Sequence, residues 1–338
     1  MTFPKNANVY GIPTPHFVAR LLKAIDEAQC EIVYPESGSE EEVMKLAKDS
    51  DIIIVGGGVR ISGRVVDASE RLKLIQATGA GVDYLPFDSI ARRGSLYVAN
   101  TSGANAVTVA EHAFALLLAL TKHIVYQHNL LKEGTWHRVV SLELFGRTLG
   151  IIGLGSIGVE IARRAKAFGM RVIATKRHKA DTAGLNVDSM GGPEDLIETL
   201  RESDFVVVSV ASTPETRGLI GEKELRAMKK SAYLVNLSRG DVVDEEALYR
   251  ALRERWIAGA GIDPWYNYPP SPEHGKVHAC YPPSKAGIHL LDNVVMTPHV
   301  GGLSSEFVER SIVLIAQNIE RIAKGEEVMS RVNVDLRY

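Results

Sequence analysis

The chain has 338 residues, 45% of them apolar and 24% charged, with a formal net charge of −2. That length accommodates two ordinary domains, each with its own core. The near-neutral charge gives no electrostatic reason to expect nucleic acid or an anionic membrane as partner. Cys30 and Cys280 are the two cysteines, so no disulfide framework is indicated and a reducing, cytoplasmic setting is expected.

The opening stretch MTFPKNANVYGIPTP has no apolar run behind basic residues and predicts no signal peptide. From there the pattern alternates. Val9-Tyr10 predicts a strand, Phe17 to Ala28 a helix, Ile32-Val33 a strand and Glu40 to Lys48 a helix. Asp51 to Val55 is a continuous apolar strand ending in Gly56-Gly57-Gly58, and Leu72 to Ala77 and Leu96 to Ala99 follow as short strands. Apolar β-branched runs between helices predict a parallel sheet covered on both faces.

Asn105 to about Lys132 carries one long helical pattern (Val109, Ala113, Leu116, Leu117, Leu120, Ile124). Its most apolar part, Ala113 to Leu120, is too short to span a bilayer. The passage into a second α/β unit is placed at the start of this helix.

That second unit is organised around Arg147 to His178, RTLGIIGLGSIGVEIARRAKAFGMRVIATKRH. An apolar run leads into Gly153-Leu154-Gly155-Ser156-Ile157-Gly158, then a helical pattern (Ile157, Ile161, Ala162, Ala165, Phe168), then a second apolar run from Val172 to Ala174. Strand, glycine turn, helix and strand is the context a dinucleotide fingerprint requires. Gly153 permits the sharp turn, Gly155 lets the backbone approach a pyrophosphate, and Gly158 brings the helix close to the sheet. The phosphates then face free N–H groups at the positive helix end. Gly153, Gly155, Ser156, Ile157 and Gly158 are therefore the candidate phosphate contacts.

An NAD-binding unit normally carries Asp or Glu at the end of the second strand to bond the ribose 2′-OH. Here Ala174-Thr175 is followed by Lys176, Arg177 and His178. A carboxylate repels a 2′-phosphate, whereas Lys and Arg give it charge-assisted bonds, each worth about 1.5–3 kcal/mol. Lys176 and Arg177 favour NADP over NAD.

Beyond the fingerprint, strands are predicted at Phe205 to Val210, Tyr233 to Asn236, Ala258 to Ile262 and Val294 to Met296, with helices at Glu222 to Met228 and Asp244 to Leu252. The last helical stretch, Ser304 to Ala323, comes too late for the second sheet and is expected to return to the first domain. The expected fold is thus α/β, with two Rossmann-like or flavodoxin-like parallel-sheet domains separated by an active-site cleft. Residues 1–104 plus 304–338 would form a discontinuous substrate domain, and 105–303 the dinucleotide-binding domain.

Ordered along the chain stand TGAGVDYL (Thr78 to Leu85), NAVTVAEH (Asn105 to His112), GLGSIG, STPETRGLI (Ser212 to Ile220), NLSRGDVVD (Asn236 to Asp244), GAGIDPW (Gly259 to Trp265) and TPHVGG (Thr297 to Gly302). In these motifs, spread over most of its length, the chain resembles the D-isomer-specific 2-hydroxyacid dehydrogenases. The resemblance implies reduction of a small 2-oxo acid to the D-2-hydroxy acid with a nicotinamide cofactor. Arg239 would bind the substrate carboxylate and polarise the keto oxygen, as a planar guanidinium can. His299 would deliver the proton, imidazole having a suitable pKa near neutrality. The resemblance also implies carboxylate contacts at the Ala80-Gly81 turn and a substrate-side role for Asn105. It places Thr108 near the nicotinamide and Asp263 at its carboxamide. A homodimer through the nucleotide domain is implied as well, with the Lys122 to Val140 arm as its contact; Leu130, Leu131 and Trp136 fit that arm or an ordinary core.

One position departs from the family. Where the Glu that partners the catalytic His is usual, this chain has Tyr268, within the long segment PWYNYPPSPEHGKVHACYPPSKAGIHLL. Either Tyr268 or Tyr266 supplies a neutral partner to His299, or Glu273 swings in from the loop, or the His works alone as in formate-dehydrogenase-like relatives. Without a carboxylate the imidazolium loses its proton at lower pH, which shifts the expected optimum for reduction towards acid. His274, His278 and Cys280 in the same segment fit no standard zinc spacing, so no metal is expected. Trp265, Tyr266, Tyr268 and Tyr281 either wall a substrate pocket or fasten the loop. A binding protein or corepressor that senses the dinucleotide is the reading from a different class.

Overall fold

The computed structural model describes Val33 and residues 39–56, 61–177, 184–269 and 281–338. The predicted elements at Val9-Tyr10 and Phe17 to Ala28, together with His178, Glu273, His274, His278 and Cys280, lie outside the described residues.

The chain divides into two compact units. One holds the chain up to Asn105 and from Ser304 to Tyr338, and the other holds Ala106–Tyr268 and the chain up to Leu303. The first unit runs α1 (Glu40–Ala47), β1 (Ile52–Val55), α2 (Gly63–Ala68), β2 (Leu74–Ala77), α3 (Phe87–Arg92) and β3 (Tyr97–Ala99). The second begins with α4 (Ala106–Thr121), α5 (Ile124–Lys132), β4 (Thr148–Ile152), α6 (Ser156–Ala167), β5 (Arg171–Thr175) and β6 (Ser189–Gly191). It continues with α7 (Leu196–Glu202), β7 (Phe205–Val208), α8 (Glu222–Ala227), β8 (Tyr233–Asn236), α9 (Glu245–Arg253), β9 (Gly259–Ile262) and β10 (Val294–Met296). The last helix, α10 (Ser305–Lys324), is counted with the first unit.

In the first unit β1, β2 and β3 form a parallel sheet in that order. Successive side chains point to opposite faces of a strand. Ile53, Val55, Ile75 and Val98 therefore join Val65, Val66 and Ile90 on one side. Ile52, Ile54 and Leu74 meet Ile312, Ile315 and Ile319 of α10 on the other. The amphipathic last helix thus supplies the second face of this sheet.

In the second unit seven parallel strands run in the order β10-β9-β8-β7-β4-β5-β6. Leu149, Ile151, Phe205, Val207 and Val235 pack with Leu116 and Leu117 of α4 and Ile161 of α6. Ile152, Val206, Val208 and Leu234 face Leu200, Leu225, Leu248 and Leu252 of the helices opposite. Burial on both faces explains why these strands read as continuous apolar runs. The order reverses between β4 and β7, and ligands of open α/β sheets gather beyond the strand ends at such a point.

The long helix expected from Asn105 to Lys132 is two helices, bent by 60°. His123 between them is left-handed (φ 53°). Polar groups take over the freed carbonyls there: Leu142 N–H donates to Thr121 O (3.0 Å), and Gln127 Nε2 to Lys122 O (2.8 Å). Hydrophobic spacing carries no trace of such a cap, so periodicity alone runs through it. No residue of α5 is buried, and Leu131 and Trp136 are 55% and 78% exposed, which corrects the core alternative for them. Among the described residues no single helix is long and apolar enough to cross a membrane.

Candidate active site

The glycine turn follows β4 as the fingerprint requires. Gly153 has φ +103°, and a Cβ there would meet Val210 N at 2.9 Å and Ser209 C at 3.0 Å. At Gly158 a Cβ would lie 2.5 Å from Gly153 O, so the start of α6 rests directly on the turn. At Gly155 a Cβ would meet nothing within 4 Å, and no side chain caps the helix that begins there. Open space before uncapped N–H groups fits a pyrophosphate. Ser156 and Ile157 form the first turn of α6, Ser156 exposed and Ile157 half-buried.

Neighbouring strand ends hold the turn from both sides. Thr175 O, closing β5, accepts from Gly153 N–H (3.1 Å) and Leu154 N–H (3.2 Å). Ser209, just past β7, donates its Oγ–H to Gly153 O (2.8 Å). Lys176 and Arg177 come directly after Thr175, and the Arg177 guanidinium is paired with the carboxylate of Glu215.

A second group of side chains rises from the ends of β8, β9 and β10. Asn236, Ile262 and Met296 are aligned across these strands. Arg239 stands three residues past the first and His299 three past the last. Arg239 sits on a small polar turn. Asn236 Oδ1 accepts from Ser238 N–H (3.0 Å) and Ser238 Oγ (2.8 Å), and Asn236 Nδ2 donates to Arg239 O (2.8 Å). One guanidinium nitrogen donates to Ser238 O (3.0 Å).

His299 occupies the left-handed region (φ 57°), which a non-glycine residue adopts only where its surroundings impose it. Here Asp263 imposes it. Its backbone O accepts from His299 N–H (2.9 Å). Its carboxylate accepts from Thr297 Oγ1 (2.6 Å), Val300 N–H (2.8 Å) and Gly301 N–H (2.9 Å), and the side chain is 5% exposed. His112 Nε2 adds a bond to Thr297 Oγ1 (2.8 Å). Gly301 is required by space, since a Cβ would lie 2.8 Å from Asp263 Oδ2 and 2.9 Å from His112 Cδ2. The sequence offers Asp263 as a cofactor contact and does not show that it organises the His299 turn. A buried acid ahead of a TPHVGG-type turn is the available signal.

Of the partners weighed for His299, the structure brings Tyr268: its Oη lies 2.9 Å from His299 Nδ1 and accepts from Trp265 N–H (3.0 Å). The alternative from Tyr266 is corrected. That hydroxyl donates to Val243 O (3.0 Å), and burial pushes its phenol pKa well up. Trp265 is buried and donates Nε1–H to Thr297 O (2.9 Å), and its own O stands where a Cβ on Gly240 would clash with it. Trp265 therefore joins the Arg239 turn to the His299 turn. These three aromatics fasten residues 265–268 to Val243 and to the turn after β10, while Tyr281 is 44% exposed.

Thr108 lies in the first turn of α4, half-buried. Ala80, Gly81 and Asn105 belong to the other unit. There Asn100 Nδ2 donates to Ala80 O (2.8 Å), and Gly81 is half-exposed. Asn105 keeps a buried Oδ1 with no partner among the described residues.

Residues 114–301 match the model of the D-isomer specific 2-hydroxyacid dehydrogenase NAD-binding domain. A glyoxylate reductase from Pyrococcus furiosus is 37% identical over 310 residues, spanning 88% of this chain and 86% of that protein. The solved NADPH-dependent glyoxylate/hydroxypyruvate reductase of Sinorhizobium meliloti, bound to NADP and malonate, is 27% identical with a TM-score of 0.78, over 99% of this chain and 97% of its own. The D-lactate dehydrogenase of Aquifex aeolicus, bound to NAD and lactic acid, is 26% identical with a TM-score of 0.78, over 96% of each chain. With a fingerprint built for a dinucleotide and these relatives over nearly its full length, the chain belongs to the D-isomer specific 2-hydroxyacid dehydrogenase family, as an NAD(P)-dependent oxidoreductase.

Proposed function

We propose that the protein reduces a small 2-oxo acid, glyoxylate or hydroxypyruvate first among them, to its 2-hydroxy acid with NADPH as the favoured cofactor. The observation that carries this reading is the placement of Arg239 and His299 three residues past register-aligned strands of the same sheet whose β4 ends in a glycine turn open to a pyrophosphate. A bound nicotinamide supplies the hydride to the keto carbon. The chain's own residues do the rest. Arg239 binds the carboxylate and draws charge from the keto oxygen. His299 gives that oxygen a proton from Nε2 as it becomes an alkoxide. Tyr268 Oη accepts from Nδ1–H of the imidazolium, which keeps Nε2 as the exchanging atom. Because Oη is neutral, it orients the ring without adding the attraction of a carboxylate.

Lys176 and Arg177 support NADPH through the 2′-phosphate. A homodimer is the proposed assembly. Its support is the run of exposed apolar side chains on and after α5, with Val140 91% exposed, a patch of the kind that marks an interaction surface. The deciding experiment is a panel of 2-oxo acids assayed with NADH and NADPH in parallel, with light scattering on the same sample. Turnover of glyoxylate or hydroxypyruvate with NADPH is expected. Tight cofactor binding with no turnover on any 2-oxo acid would replace the enzyme reading by a dinucleotide sensor.

A further inference from the structure

The end of β5 lacks the acid of an NAD-binding unit, yet an acid reaches it from another loop. In the sheet β4 lies between β5 and β7, and both neighbours are bonded to the glycine turn through Thr175 and Ser209. The residues after these two strands therefore flank the turn. Arg177 comes after β5, Glu215 after β7, and the guanidinium donates to the carboxylate.

Glu215 is held there by a built loop. Thr216 Oγ1 accepts from Thr213 N–H (2.8 Å) and donates to Ala211 O (2.6 Å). Arg217 N–H donates to Thr213 O (3.2 Å), and Gly218 N–H to Asp241 O (2.8 Å). Ser212 Oγ donates to the Asp241 carboxylate (3.1 Å). The Glu215 side chain itself is 70% exposed, so neither packing nor burial explains its place over Arg177.

We propose that Glu215 is a cofactor-discriminating residue. It supplies from the β7 loop the carboxylate missing from β5, and restrains the preference for a 2′-phosphate. The carboxylate accepts a bond from a ribose 2′-OH and repels a 2′-phosphate, while it occupies the guanidinium that would hold that phosphate. The proposal rests on the reading that the adenosine ribose lies at the end of β5.

The test is calorimetric binding of adenosine 2′,5′-bisphosphate and of adenosine 5′-monophosphate, which differ by the 2′-phosphate, to the whole chain and to E215Q, R177Q and the double variant. Removing one like charge at a few ångströms in a water-exposed setting should tighten the bisphosphate about five- to tenfold. The monophosphate should bind unchanged or more weakly. Measured against R177Q alone, the double variant should show a smaller gain, because the relief of repulsion remains while the released guanidinium is absent. Equal shifts for both ligands, no shift in E215Q, or a gain of undiminished size in the R177Q background each overturn the role of Glu215 as stated. The preference for NADPH fails separately, if the unmodified chain binds the bisphosphate no tighter than the monophosphate. The NADPH-to-NADH ratio of kcat/KM for glyoxylate should rise in E215Q by the same factor as the binding ratio.

Discussion

Replacing Tyr268 by Phe tests the proton-transfer machinery at one atom. The ring stays and Oη goes, and with it the bond to His299 Nδ1 (2.9 Å) and the acceptor for Trp265 N–H (3.0 Å). Each neutral hydrogen bond is worth about 0.5–1.5 kcal/mol net, and a half-buried donor left without a partner costs about 1–3 kcal/mol. A loss near 1.4 kcal/mol in the transition state lowers kcat for 2-oxo acid reduction about tenfold. The KM for the acid should change little, because the proposed carboxylate ligand, Arg239, is untouched. Tyr268→Glu supplies the companion measurement. A carboxylate beside the ring favours imidazolium, so the folded-state pKa of His299 rises. Reduction, which needs the protonated ring, then persists to higher pH by about one unit or more. The oxidation direction, which needs the neutral ring, loses activity over that same window. Stopped-flow rates from pH 5 to 9 on both variants and on Glu273→Gln decide the matter. If Tyr268→Phe keeps the wild-type rate and pH profile while Glu273→Gln moves the alkaline limb, the hydroxyl is not the partner of His299 and its assigned role is refuted.

Four further outcomes are expected. Gly155→Ala places its Cβ in open space, so urea unfolding should stay within about 0.5 kcal/mol of wild type while nucleotide affinity falls at least about tenfold. Gly158→Ala meets Gly153 O and should cost about 1–3 kcal/mol of stability; equal behaviour of the two variants would contradict the geometry of the turn. Asp263→Asn exchanges an acceptor of two N–H groups for an amide, and should lower both stability, by about 1–3 kcal/mol, and kcat. Unchanged kcat would mean that the His299 turn holds its shape without that carboxylate. At Asp204 burial raises the pKa, but the bonds from Thr148 N–H and Lys229 outweigh it and hold the carboxyl below its usual range. A depressed folded-state pKa stabilises above the unfolded value and is lost as pH falls through the folded one. Asp204→Asn should therefore be less stable than wild type at neutral pH, with the gap closing in acid, as tracked by thermal melts from pH 7 to pH 2.

Much of the nucleotide-binding unit is legible in the sequence because its strands are buried on both faces. The apolar runs at Thr148, Phe205 and Tyr233 stand out, and the glycine spacing fixes the turn and helix after β4. β6 (Ser189–Gly191) is not legible, because an edge strand of Ser, Met and Gly carries neither alternation nor an apolar run. The short helices α2 and α3, six residues each and under two turns, are not among the predicted elements. At the site, Arg239 and His299 are readable from their motifs, and so is the absence of the family Glu at position 268. The position that Oη of Tyr268 takes up is not readable. It depends on the fold back from Trp265 towards Thr297, a bond between residues 32 apart in the chain. The acid that reaches Arg177 is hidden for the same reason. Glu215 is far from the end of β5 in sequence and near it only because β4 separates β5 from β7 by one place on each side.

The alignment of Asn236, Ile262 and Met296 turns the parallel sheet into a ruler. The backbones of β8 and β10 stand two strand spacings apart, roughly 10 Å, and main-chain bonds fix that span whatever the side chains do. Beyond Tyr268, the chain up to Val294 can then differ in length without shifting the strand ends that carry Arg239 and His299 against each other.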